Sequence, residues 1–244
     1  MHRFFCPEAR ENMASLTLTG DDARHVHTVL RLSPGELITV CDGLGKDFIC
    51  AISAGDAKTV HADVRAIEAN QAEPRAEIIL YQGLPKADKM EWIIQKGTEL
   101  GMTRLVPVIT EFAVAKLTDK MGNKLARWQK IAEAAAKQSG RGRIPAIDEP
   151  IPFACALQQM QTLPCAIMAY EKAEQQSLKR ILRGFEGSAI GICIGPEGGF
   201  SAEEAQKAAI AGIHAISLGK RILRTETAGP AILAMIQYEW EAYE

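Results

Sequence analysis

The sequence has little charge imbalance, no paired cysteines and no long apolar run, and each absence removes a class of function. Its 244 residues carry a formal net charge of -2, so no global basic field marks a non-specific polyanion binder. A local patch would still suffice for RNA. Divided near residue 72, the chain has a net charge of -3 before that point and +1 after it, and neither part is a polybasic arm. The six cysteines are scattered, mostly in apolar runs, with no C-x-x-C pair. Zinc ligation needs close pairs and disulfide frameworks belong to small secreted domains, so reduced, buried thiols are expected. His25-x-His27 falls in a helical stretch, where positions i and i+2 diverge, so no metal is expected there. The start, Met1-His2-Arg3-Phe4-Phe5, lacks the apolar core of a signal peptide, and no apolar run reaches membrane-spanning length. A cytoplasmic protein without membrane contact is the expectation. There is no internal repeat or low-complexity stretch.

What is present divides in two. The first seventy residues read as short strands and tight turns. Ser15 to Leu18 alternates as a half-buried strand should, Glu36 to Cys41 and Asp47 to Ile52 flank the turn Asp42-Gly43-Leu44-Gly45, and Thr59 to Ile67 alternates again. One helix is predicted from Asp21 or Asp22 to Arg31, ended by Ser33-Pro34-Gly35. The pattern suggests a small β-barrel-like domain over residues 1–72, with Ala69 to Pro74 as linker. Beyond it, strands and helices alternate. Strands are predicted at Glu77 to Tyr81, Leu105 to Ile109, Cys165 to Ala169, Ala189 to Ile194 and Ala215 to Leu218. One predicted helix puts Met90, Ile93, Ile94, Gly97 and Leu100 on one face and stops at Gly101, and a longer one presents Met121, Leu125, Trp128, Ala132 and Ala135. The last helix, Thr227 to Tyr243, is apolar over most of its circumference, which suggests packing against a second subunit. Residues 73–244 therefore read as an α/β domain with a largely parallel sheet.

Two stretches carry chemistry. In Ile194-Gly195-Pro196-Glu197-Gly198-Gly199-Phe200-Ser201 a buried strand runs into a glycine-rich turn, and Ser201 with Glu204 makes a capping box. Glycines after a strand let backbone groups approach a ligand. No Lys-Ser/Thr follows the last glycine, which excludes a P-loop, and the turn lies too late in the chain for a dinucleotide fingerprint. The second stretch, Leu218-Gly219-Lys220-Arg221-Ile222-Leu223-Arg224-Thr225-Glu226-Thr227-Ala228, again runs strand, glycine, loop, helix. Two such loops at successive strand ends could frame one crevice.

Together the two stretches resemble the bacterial 16S rRNA uridine-N3 methyltransferase family, of the SPOUT (trefoil-knot) class. The likeness extends to Lys86-Ala87-Asp88-Lys89-Met90-Glu91, Gln95-Lys96, Glu99-Leu100-Gly101, Gln138-Ser139-Gly140-Arg141, Arg3-Phe4-Phe5 and His25-x5-Arg31, and so covers nearly the whole chain. One departure stands out: Thr110-Glu111-Phe112 lies where family members tend to carry Ser/Thr-Glu-Arg. The resemblance implies a PUA-like β-barrel followed by an α/β trefoil-knot domain, a homodimer, and S-adenosyl-L-methionine as methyl donor. It implies that backbone groups of Ile194, Gly195, Gly199, Leu218, Gly219, Leu223 and Thr225 hold the donor. The substrate would be a uridine of 16S rRNA within the small ribosomal subunit. Because N3–H of uracil is a poor nucleophile until its proton leaves, catalysis needs a proton acceptor and stabilisation of charge on the carbonyl oxygens. Glu197 and Glu226 are the candidate acceptors and Arg224 the candidate for that charge. Arg3, Arg24, Arg31, Lys86, Lys89, Arg141 and Arg143 are candidate phosphate contacts. A ribose 2′-O-methyltransferase and an idle RNA-binding assembly factor are the alternatives.

Overall fold

The structure, a computed structural model, describes residues 1–113, 121–173 and 177–240. The chain separates into two compact units, one formed by Met1–Glu73 with Ala136–Ile144, the other by Pro74–Ala135 with the residues from Pro145 onward. The expected division at residue 72 did not anticipate that Ala136–Ile144 joins the first unit. Its ties are polar and specific: Asn70 Nδ2 donates to the Gly140 carbonyl at 3.0 Å, and Glu73 accepts from the Arg141 guanidinium at 2.7 Å and from the Arg143 amide at 2.9 Å.

In the first unit β1 (His2–Phe5), β2 (Ser15–Thr19), β3 (Leu37–Cys41), β4 (Lys46–Gly55) and β5 (Thr59–Ala69) form one sheet in the order β1-β3-β4-β5-β2. The β1–β3 pair is parallel and the others antiparallel. Register shifts at Ile49/Cys50 and Ile52/Ala54 are the bulges that curl a sheet over its core. That core is Phe4, Leu16, Leu18, Ile38, Val40, Phe48, Ile52 and Val60. Among the described residues β1 and β2 remain edges, so the expected barrel is a half-barrel. The predicted helix has the expected length and end but a different geometry. Helix α1 (Gly20–Arg24) widens into a π-helical turn, His25–Leu30, and stops because Arg31 turns left-handed at φ 53°. The amides of Arg31 and Leu32 both close on the Val26 carbonyl, which lets Leu30 and Leu32 reach the core.

The second unit is built on a sheet that is parallel throughout. It contains β6 (Glu77–Gly83), β7 (Arg104–Ile109), β8 (Ala146–Ile147), β9 (Ile151–Pro152), β10 (Cys165–Ala169), β11 (Ala189–Ile194) and β12 (His214–Ile216). The order is β12-β10-β11-β6-β7-β8, with β9 also on β7. All six residues of β11 are buried, as a central parallel strand covered on both faces requires. The helices are α2 (Lys89–Glu99), α3 (Met121–Ser139, whose last turn from Ala136 belongs to the first unit), α4 (Phe153–Gln161), α5 (Leu178–Arg183), α6 (Ala202–Ile210) and α7 (Thr225–Trp240). The short β1, β8 and β9 and helices α4 and α5 were not anticipated from the sequence. Helix α7 starts two residues earlier than expected, and the residues after Trp240 in its expected span lie outside the described residues. Among the described residues no helix is long and apolar enough to cross a membrane. From β6 the chain moves outward to β7 and later returns on the other side with β10 and β11. The carboxyl ends of β6 and β11 therefore lie at a switch point, the place where open α/β sheets form a crevice.

Candidate active site

The loops at that edge are held by short, specific contacts. After β11 the chain turns back on itself: the Gly199 amide donates to the Pro196 carbonyl at 3.0 Å, and Gly199 takes φ +69°. A Cβ on Gly195 would meet the Gly199 backbone at 3.0 Å, so a side chain there would push the two turns of the loop apart by a few tenths of an ångström. Ser201 then starts α6 with both halves of the expected capping box: its hydroxyl accepts from the Glu204 amide, and Glu204 Oε2 accepts from the Ser201 amide. The other Glu204 oxygen accepts from the Glu111 amide at 2.9 Å, tying the Thr110–Phe112 segment to this loop. Phe112 is 44% exposed with its Cβ against Gly198, where any side chain would meet it at 2.8 Å.

The loop after β12 is joined to the β11 loop by a buried relay. Gln82, at the end of β6, donates from Nε2 to Thr225 Oγ1 at 2.9 Å, and the Thr225 hydroxyl donates to the Gly195 carbonyl at 2.6 Å. The second Gln82 amide hydrogen goes to the Gly83 carbonyl. Thr225 was expected to serve the donor site through its backbone, and its side chain is wholly engaged inside the protein. Gln82, which no sequence motif marks, is the part that reasoning from sequence missed.

Residues from three loops, with Lys89 at the start of α2, line one cavity of about 660 Å³. Every residue expected to hold the donor lines it: Ile194, Gly195, Gly199, Leu218, Gly219, Leu223 and Thr225. Arg224, Glu197 and Lys89 line it as well, and so do Tyr170, Glu171 and Lys172 from the loop after β10, which the sequence did not signal. The volume lies in the range of small-ligand sites, and the walls mix apolar side chains, exposed backbone and charges of both signs. That lining suits S-adenosylmethionine, which carries a flat heteroaromatic base, two cationic centres and a carboxylate. Gly195 and Gly199 put no side chain into the cavity, although the Gly195 carbonyl and the Gly199 amide are taken by Thr225 and Pro196.

Glu226 does not line the cavity directly; it is linked to the site by Lys89. The Lys89 ammonium lies 3.0 Å from Glu197 Oε1 and 3.2 Å from Glu226 Oε2. The Lys86 amide donates to both Glu197 oxygens, at 3.1 and 3.3 Å. Burial alone would raise the Glu197 pKa, but the bonds from Lys89 and the backbone outweigh it and hold the carboxyl below its ordinary range. The bond to Glu197 in turn raises Lys89.

The candidate phosphate contacts are dispersed. Arg24, Arg31, Lys86 and Arg143 are exposed, Arg143 with its guanidinium on the Leu44 carbonyl. Two of the candidates have internal partners. Arg141 is 2% exposed and bonded to Glu73, and Arg3 makes a two-pronged pair with Asp47 at 2.6 and 2.8 Å. Both guanidiniums are committed to internal carboxylates. Lys89 is likewise engaged by two carboxylates. Among the described residues no three metal-ligating side chains converge on a metal-sized site.

The RNA methyltransferase domain family matches residues 71–237, and the RNA methyltransferase PUA domain family matches residues 18–65. Ribosomal RNA small subunit methyltransferase E of Bacillus subtilis (strain 168) is 34% identical over 250 residues, covering 99% of this chain and 98% of that protein. Its namesake from Synechocystis is 33% identical over 229 residues, covering 91% and 73%. A crystal structure of ribosomal RNA small subunit methyltransferase E from Neisseria gonorrhoeae, bound to S-adenosyl methionine, is 33% identical, covers 100% of both chains and superposes with a TM-score of 0.89. Fold, cavity and likeness define an S-adenosylmethionine-dependent RNA methyltransferase of the SPOUT class, with a PUA domain preceding the catalytic one. Within that class the chain belongs to the ribosomal RNA small subunit methyltransferase E family.

Proposed function

We propose that the protein methylates N3 of a specific uridine in 16S rRNA of the small ribosomal subunit, in the cytoplasm and as a homodimer. The observation that carries the reading is the convergence of both glycine loops, Arg224, Glu197 and Lys89 at one cavity, with Glu226 held just behind it by Lys89. When bound, the donor supplies an electrophilic methyl on a sulfonium, so the burden on the protein is to prepare the nucleophile. N3 lies on the pairing edge of uracil, so the base must be unpaired or flipped out. Glu197, ionised at neutral pH, accepts the N3 proton or shares that role with Glu226. The Arg224 guanidinium faces the carbonyl oxygens as charge spreads onto them. Arg24, Arg31, Lys86 and Arg143 contribute phosphate contacts.

Dimerisation is supported by α7. Its inner face buries Ala228, Ile232, Leu233 and Ile236, while Met235 and Tyr238, the latter 75% exposed, leave an apolar stripe outward. Trp92 on α2, which packs against α7, is a further exposed apolar side chain. Covering such a surface with a second copy removes it from water.

Incubating the protein with a deuterated-methyl donor and unmodified small-subunit rRNA, then analysing nucleosides by mass spectrometry, tests the reading. Label in 3-methyluridine is expected. Label in a 2′-O-methyl nucleoside, or none, would refute it.

A further inference from the structure

The segment between β6 and α2 enters the site as a support that neither glycine loop provides. Ala87, a non-glycine residue, is held at φ 53°, and the strained turn aims the Lys86 amide at Glu197 and starts α2 at Lys89. A cation in the first helical turn lies at the unfavourable end of the helix dipole, so Lys89 is not there for the helix. What it meets instead are two carboxylates from different loops, Glu197 after β11 and Glu226 at the start of α7.

We propose that Lys89 is a positioning residue for methyl transfer, its ammonium holding Glu197 and Glu226 beside one another so that one can take the N3 proton. The inference rests on the reading of the reaction given above. In that step the N3 proton passes to a carboxylate oxygen, the N3 electron pair takes the methyl carbon, and the S–C pair stays on sulfur. Without the cation, two carboxylates sharing a site repel, and one becomes protonated at higher pH. Other charges around the same cavity are Arg224, Lys220 and Arg221 from the loop before α7, and Glu171 and Lys172 from the loop after β10. None of these has an ion pair with Glu197 or Glu226 within 4 Å among the described residues, whereas Lys89 pairs with both.

The test uses Lys89→Met and Lys89→Arg in the full chain. Carboxyl ¹³C titration of the ligand-free proteins, assigned with Glu197→Gln and Glu226→Gln, is measured beside single-turnover methylation as a function of pH. In Lys89→Met a glutamate should titrate at higher pH, and the acid limb of the rate profile should move up with it, the loss shrinking as pH rises. Lys89→Arg should return both toward the parent. An unmoved carboxyl titration overturns the proposal. So does an unmoved acid limb with weaker RNA binding and a salt slope reduced by about 1, the signature of a phosphate contact. If the parent leaves uridine N3 unmethylated while Lys89→Met still raises the carboxyl titration, the reading of the reaction falls and the electrostatic role of Lys89 stands.

Discussion

Replacing Thr225 with Val tests whether the buried relay, rather than glycine content alone, holds the donor site together. The substitution keeps the β-branched shape and nearly the same volume, so its chief effect is loss of the hydroxyl. It removes the 2.9 Å bond from Gln82 and the 2.6 Å bond to the Gly195 carbonyl. Both Thr225 and Gln82 are buried, and Gln82 Oε1 already lacks a protein partner among the described residues. A net hydrogen bond contributes about 1 kcal/mol, and a buried group left unpaired costs about 1–3 kcal/mol. Cavity water can reach Gly195, which places the combined loss at about 2–3 kcal/mol. For a domain of this size that corresponds to a fall in Tm of about 5–10 °C. Urea unfolding and donor calorimetry on Thr225→Val and Thr225→Ser measure it. Val should lower the unfolding midpoint and weaken the donor, whereas Ser keeps the hydroxyl and most of both properties. A Val variant that unfolds at the parent midpoint and binds the donor at parent affinity would refute the relay.

Gly195→Ala places a Cβ 3.0 Å from the Gly199 backbone, and relief of about 1–3 kcal/mol of overpacking should weaken the donor by roughly 5- to 150-fold in calorimetry. Arg224→Ala should fold and bind the donor normally while single-turnover methylation falls by about 10²–10³. Equal melting with parent-level methylation would remove Arg224 from the site. Asp47→Ala strips the partner from the half-buried Arg3 and should cost about 3 kcal/mol in urea unfolding. Burial would raise the Asp47 carboxyl, but bonds from Arg3, Cys41 and Asn70 outweigh it and lower its pKa from 3.8. Its stabilisation is therefore complete above the unfolded value and fades as pH falls through the lower folded one, so acid unfolding should begin at higher pH in Asp47→Ala.

Period and punctuation made much of the fold legible. The buried strands Cys165–Ala169 and Ala189–Ile194 announce themselves because parallel strands covered on both faces are continuously apolar. Ser201 and Glu204 mark the start of α6 because a capping box is local chemistry. The left-handed turn at Arg31 was illegible, since nothing in an arginine advertises positive φ, although Ser33-Pro34-Gly35 marked the end of the helix. Glycine after a buried strand fits a plain strand-to-helix turn as well as a ligand loop, so the donor loops were located by the family resemblance of the two stretches taken together. Gln82, Lys89 and Tyr170–Lys172 were harder. Each acts through a partner more than thirty residues away or through strand order, and lone polar residues at strand or helix ends have no spacing to betray them. The same distance hid the internal partners of Arg3 and Arg141, which read as free cations until Asp47 and Glu73 are brought beside them.

The claim on which the account depends is that the cavity at the carboxyl edge of β6, β11 and β12 holds the methyl donor without metal. Calorimetric titration of S-adenosylmethionine into the chelator-treated protein, with Gly195→Ala in parallel, measures it directly. The account predicts saturable binding that chelator leaves unchanged and that Gly195→Ala weakens. Binding that appears only after a divalent ion is restored, or that Gly195→Ala leaves untouched, would contradict it.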